Sequence, residues 1–175
     1  QRARLYECLD STNTLALALA GDPANHGLIL LTKEQTAGRG QYGRSWQAPP
    51  GSSVLMSVLL FPPAALRRAS LLTAWAAVSV CETIHVLANL DASIKWPNDV
   101  LIAGKKVCGI LIEQRTTGRA DFPLATVAGI GLNVAQSAAM LDDANLPGAG
   151  SLASACGIAL SFDEVAKHLI YQLDQ

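Results

Sequence analysis

The segment Gly38-Arg39-Gly40-Gln41-Tyr42-Gly43-Arg44 gathers three glycines and two arginines in a chain that is otherwise apolar and sparsely charged. Glycine lets the backbone approach a ligand closely. The arginine guanidinium is a planar fork of donors matched to phosphate and carboxylate oxygens. The chemistry this composition suits is anion binding. The glycines fit G-x-G-x-x-G, a dinucleotide-binding turn, but that turn needs a helix directly after it. Here Arg44-Ser45-Trp46-Gln47-Ala48-Pro49-Pro50-Gly51 follows, and its prolines and glycine forbid a helix. A Walker A loop is excluded because no Gly-Lys-Ser/Thr follows, and a kinase loop because H-R-D and D-F-G are missing. Two readings remain open: a cationic lid over a phosphate, or a basic surface loop.

Lys95-Trp96-Pro97-Asn98-Asp99 is the second dense segment. By itself it reads as a strand-ending turn with Trp96 in the core, although Asn98 and Asp99 could also bind a ligand. Lys106 is either a solvated turn lysine or, if the intervening hairpin folds back, a partner of Asp99 in one pocket. Ser11-Thr12-Asn13 caps a helix, or also presents hydroxyl and amide groups to a polar ligand. Gly129-Ile130-Gly131-Leu132-Asn133 puts an amide after a strand that can pack closely, or simply satisfies backbone groups. His26, His85 and His168 are scattered, so no metal ligands are expected. No Gly-x-Ser-x-Gly occurs and no cysteine has a nearby histidine, so no protein nucleophile is evident.

The elements that must carry these residues can be read from apolar patterning. Strands are expected over Arg4–Leu9, Gly27–Thr32, Ser53–Phe61, Ala92–Lys95, Val100–Ile102, Val107–Arg115 and Thr126–Val134. Helices are expected over Leu15–Ala20, Leu66–Leu90 and Phe162–Leu173, the last capped by Ser161. Ala135–Gly150 reads as irregular. Short strands with one long central helix predict an α+β fold: a mixed or antiparallel sheet with helices packed on one face.

With 175 residues the chain fits a single domain over 1–175. Half of it is hydrophobic and the net charge is −1, which argues against a general nucleic-acid binder. Cys8, Cys81, Cys108 and Cys156 have no CxxC spacing and read as reduced thiols of a cytoplasmic protein. No signal-peptide core opens the chain. The charge-free run Ala69–Cys81 is shorter than the roughly 20 residues that cross a bilayer, so no membrane association is expected.

Taken in chain order, the segments resemble the catalytic domain of biotin protein ligases. The resemblance rests on Ser11-Thr12-Asn13, Gln35-Thr36-Ala37-Gly38-Arg39-Gly40 with Gly43-Arg44 and Trp46, and Lys95-Trp96-Pro97-Asn98-Asp99. It continues through Gly104-Lys105-Lys106 with Gly109-Ile110-Leu111 and Glu113, and ends at Gly129-Ile130-Gly131-Leu132-Asn133. It implies a fold like that of class II aminoacyl-tRNA synthetases, with biotin and ATP as substrates and Mg²⁺ as cofactor. Biotinyl-5′-AMP would form first, and biotin would then pass to a lysine of a biotin carboxyl carrier domain. Ser11, Thr12, Asn13, Gln35, Arg39, Gly40, Gln41 and Lys106 would bind biotin. Arg39, Arg44, Trp46 and Asn133 would bind ATP or the adenylate, and Lys106, Arg44 and Asp99 would be catalytic.

The resemblance implies rivals as well: a lipoate or octanoate ligase or transferase on a related fold, or a non-catalytic biotin or adenylate sensor. Gln41 stands where the family commonly has another arginine, which predicts a lid that closes less tightly on the adenylate. Only ten residues precede Ser11, so the expectation is a monofunctional enzyme without a DNA-binding winged helix. A C-terminal β-barrel is likewise expected to be absent. A homodimer through a sheet edge near Thr126 is the expected self-association.

Overall fold

The computed structural model describes residues 2–175. Seven strands form one sheet: β1 (Arg2–Leu9), β2 (Leu28–Gln35), β3 (Ser53–Leu60), β4 (Ala92–Lys95), β5 (Asp99–Ile102), β6 (Lys105–Thr116) and β7 (Leu124–Asn133). Their order is β1-β2-β3-β7-β6-β5-β4. Only β1 and β2 run parallel, so the sheet is mixed, as expected.

The helices are α1 (Thr12–Ala18), α2 (Ala69–Ala88), α3 (Ala138–Asp143), α4 (Leu152–Cys156) and α5 (Phe162–Gln172). They cover both faces of the sheet, not one. The continuous apolar run of β2 explains why. Ile29 and Leu31 join the main core with Val80 and Ile84 of α2 and Leu169 of α5. Leu28 and Leu30 point the other way and pack with Ala16 of α1 and Val127 of β7. A strand buried on both faces needs no polar alternation. Burying each such Leu or Ile stabilises the fold by about 1.5–3 kcal/mol.

Several boundaries differ from expectation. α1 starts at Thr12, because Ser11 caps it by accepting from the Thr14 amide. The helix expected from Leu66 starts at Ala69, preceded by a 3-10 turn over Ala64–Leu66 that follows Pro62-Pro63. α2 is long and apolar enough to span a membrane by length and composition alone, a test that the shorter charge-free run did not meet. Leu72, Ala76, Ala77, Val80 and Ile84 are nevertheless buried against the sheet, as in a core helix. The stretch read as irregular, Ala135–Gly150, contains α3, capped by Ser137, and is followed directly by Ser151, which caps α4.

Thr126 is not at a sheet edge. It is fully buried in β7, between Leu60 of β3 and Gln114 of β6. The outer strands of the sheet are β1 and β4.

Candidate functional site

The site lies on the α1 face of the sheet, and strand register places its floor. Asp99 of β5 pairs with Gly109 of β6, Gly109 with Gly131 of β7, and Gly131 with Leu55 of β3. One row further on, Leu111 pairs with Gly129, and Gly129 with Ser57. The glycines leave a trough that other side chains fill. A Cβ on Gly131 would stand 2.6 Å from Trp46 Cε2, and one on Gly109 2.7 Å from Trp46 Cζ3. On Gly129 a Cβ would stand 2.2 Å from Asn13 Oδ1.

Lys106 reaches this face through a bulge. It pairs with Leu101, while Cys108 pairs with Val100, which leaves Val107 as an extra residue on β6. Without that insertion, Lys106 and Gly109 would point to opposite faces. With it, Lys106 Nζ lies 2.7 Å from Asp99 Oδ1 and 5.6 Å from the centroid of the Trp46 ring. The β5–β6 hairpin thus folds back, and Asp99 and Lys106 share one pocket. The backbone of Lys106 is clamped too: its N–H donates to Gly148 O, and its carbonyl accepts from Gly150 N, both at 2.8 Å.

The glycine–arginine segment folds as a small hairpin over the trough. Trp46 N donates to Gly38 O (2.9 Å) and Gly40 N to Arg44 O (2.7 Å), around a 3-10 turn over Gln41–Gly43. Tyr42 takes a positive φ of 57° at its exposed tip. No helix follows, in agreement with the reading against a dinucleotide turn. Arg39 is ion-paired with Glu113 of β6.

The wall formed by α1 is a hydrogen-bonded set. Thr12 N donates to Gln35 Oε1 (2.8 Å), Ser57 Oγ lies 2.7 Å from Thr12 Oγ1, and Ser57 donates to Asn13 Oδ1 (2.6 Å). Asn13 Nδ2 donates to Glu113 Oε2 (2.8 Å). In the sequence Glu113 stands only within a motif and carries no assigned role. Its position on the same β6 face as Gly109 and Leu111 was the available signal.

Ser11, Thr12, Asn13, Gln35, Arg39, Gly40, Gln41, Arg44, Trp46, Asp99 and Lys106 all line this one cleft of about 280 Å³. One expectation does not fit, and one residue stands outside this lining. Trp96 is not in the core: it is 61% exposed and lines the cleft. Asn133 is not among the side chains that line this cleft. It is buried at the end of β7, where Nδ2 donates to Gly150 O and Oδ1 accepts from Ser53 and Gln136. An amide satisfied in this way holds the strand segment that clamps Lys106.

The electrostatics favour an anion. Lys106 is matched by Asp99 and Arg39 by Glu113, while Arg44 and Lys95 carry no ion pair among the described residues. No group of three or more His, Cys, Asp or Glu side chains suited to a metal occurs among the described residues. Cys108 lies behind Lys106, and burial pushes its thiol above the ordinary range despite the nearby ammonium. It is a core residue, not an activated nucleophile.

Comparison with known proteins gives a consistent pattern. Residues 5–133 match the model of the biotin/lipoate A/B protein ligase family. The bifunctional ligase/repressor BirA of Bacillus subtilis is 37% identical over 165 residues, which are 94% of this chain and 50% of that protein. The biotin–[acetyl-CoA-carboxylase] ligase of Mycobacterium tuberculosis is 32% identical over 169 residues, covering 94% of this chain and 59% of its own. The solved biotin protein ligase from Aquifex aeolicus in complex with biotin and ATP superposes with a TM-score of 0.79 at 27% identity. That match covers 99% of this chain and 69% of that one. The chain spans about half the length of the BirA relatives it matches.

Proposed function

The chain belongs to the biotin/lipoate A/B protein ligase family, and on that premise we propose that it is an ATP-dependent biotin–protein ligase. The observation that carries this reading is the convergence of Lys106, Arg39 and Arg44 on one polar-walled cleft beneath a glycine loop. A biotin carboxylate oxygen attacks the α-phosphorus of ATP. The new O–P bond forms as the bond to pyrophosphate breaks. The ε-amine of a carrier-domain lysine then attacks the acyl carbon of biotinyl-5′-AMP, an amide forms, and AMP leaves.

Both steps join or separate anions, so the protein's task is to hold cations in place. Lys106 sits between the biotin carboxylate and the α-phosphate, and Arg44, with no protein anion of its own, takes phosphate. Asp99 aims the Lys106 ammonium. Thr12, Asn13 and Gln35 offer hydroxyl and amide groups to the ureido head. Mg²⁺ would arrive as the counter-ion of the triphosphate. The four unpaired thiols support a reducing, cytoplasmic setting.

The deciding experiment incubates the protein with ATP, Mg²⁺ and either biotin or lipoate. Pyrophosphate release and labelling of a biotin carboxyl carrier domain are followed. Biotin-dependent release with labelling is expected. Labelling by lipoate alone would reject the substrate, and biotin binding without pyrophosphate release would make the protein a sensor.

A further inference from the structure

A carboxylate beside a cleft built for anions is electrostatically out of place, and Glu113, which bonds to Arg39 and Asn13 of the cleft lining, is such a group. It lines up on β6 with Gly109 and Leu111, opposite Val127, with its side chain 19% exposed. Its two oxygens are divided between two parts of the site. Oε1 pairs with the Arg39 guanidinium of the lid, and Oε2 accepts from the Asn13 amide of the wall. Arg39 also donates to Thr14 Oγ1 at 3.4 Å. Ser57 donates to Asn13 Oδ1, so the amide of Asn13 is fixed from both ends and cannot flip.

We infer that Glu113 is a positioning residue that docks the glycine–arginine lid onto the biotin-recognising wall. Its charge neutralises Arg39, so the lid lies against the cleft before any ligand arrives. Its second oxygen, with Leu111 O, takes both amide hydrogens of Asn13 and so sets which way the Asn13 carbonyl oxygen is presented. The inference rests on the ligase reading for its kinetic consequence, but the docking itself does not. A residue that served only the fold would affect stability and leave lid mobility and biotin KM alone.

The test uses the full chain and its Glu113→Gln variant. Limited trypsin digestion without ligand reads cleavage after Arg39 and Arg44. The variant is expected to be cut several-fold faster at an unchanged thermal midpoint. In pyrophosphate-release assays its KM for biotin is expected to rise about tenfold, the worth of one charge-assisted hydrogen bond, with kcat within about threefold. In the trypsin assay, Arg39→Ala should add little on top of Glu113→Gln to cleavage after Arg44, because both break the same link. Cleavage after Arg44 that is unchanged in Glu113→Gln, or that rises additively in the double variant, would overturn the inference. If the wild type shows no biotin-dependent release, the ligase reading falls and trypsin cleavage alone decides the docking. If Glu113→Gln does not fold, Arg39→Gln opens the same ion pair, and cleavage after Arg44 gives the answer.

Discussion

Lys106 Nζ stands 2.7 Å from Asp99 Oδ1, although the two residues are not strand partners. Asp99 pairs with Gly109 and Lys106 with Leu101. Their meeting depends on the extra residue, Val107, which turns Lys106 onto the face that already carries Asp99. A structural irregularity of one residue thus decides whether the cleft contains its central cation.

Lys106→Ala should lower adenylate formation by at least about 100-fold, the usual effect of losing one preorganised charge donor. Stability should change by less than about 1 kcal/mol, because the pair is part exposed and such pairs contribute little. Asp99→Asn keeps the shape and releases the ammonium, so a smaller loss of kcat is expected. Pyrophosphate release and a thermal melt on each variant check both points. A wild-type rate in Lys106→Ala removes that residue from the chemistry.

Two floor glycines should respond differently to alanine. At Gly129 the new methyl meets Asn13 at 2.2 Å, and Asn13 is held by Ser57 and Glu113. It cannot give way, so Gly129→Ala should destabilise by about 1–3 kcal/mol and weaken biotin binding. At Gly131 the methyl meets the Trp46 indole, which is carried by the lid. Gly131→Ala should lift Trp46 off the sheet, with less loss of stability and a visible change in tryptophan fluorescence. Equal stability losses without a spectral change would contradict this ordering.

Sequence patterning located all seven strands and the long helix, because apolar runs report burial directly. It also assembled most of the cleft, because the motifs lie on neighbouring strand ends. What it missed depended on tertiary contacts. Trp96 looks like core material by type, yet the turn that carries it faces the cleft. Asn133 looks like a ligand contact by motif, and no pattern shows that its amide also bonds Gly150, Ser53 and Gln136. α3 and α4 are short and depend on serine caps rather than a long apolar period. The second helical face was hidden because β2 is apolar on both sides.

Gln41 begins the tight turn of the lid and lines the cleft. A neutral amide there leaves the lid with Arg39, already paired, and Arg44. Gln41→Arg adds a cation where phosphate oxygens are proposed to lie, so release of biotinyl-5′-AMP should slow by about tenfold, the usual effect of one charge-assisted hydrogen bond. Dissociation of preformed adenylate, followed by filter binding, reads this directly. An unchanged release rate would mean that position 41 does not contact the adenylate.

Cys108 gives a pH dependence whose sign can be worked out. It is fully buried on β6, and burial raises its pKa above the ordinary 9.0. Below pH 9 the thiol is protonated in both folded and unfolded chains, so its contribution to stability is fully present. Above pH 9 the unfolded chain releases the proton and the folded chain keeps it. Unfolding is then favoured, and stability falls as pH rises. Urea denaturation at pH 7.5 and pH 10 should show a steeper loss in the wild type than in Cys108→Ala. Cys81 is also raised, by burial and by Glu82, but it remains in both proteins and cancels in the comparison. The same burial predicts that iodoacetamide modifies exposed Cys8 in the native protein while Cys108 reacts only after unfolding. Parallel pH profiles for the two proteins, or rapid native alkylation of Cys108, would show that the β6 bulge leaves this thiol open to solvent.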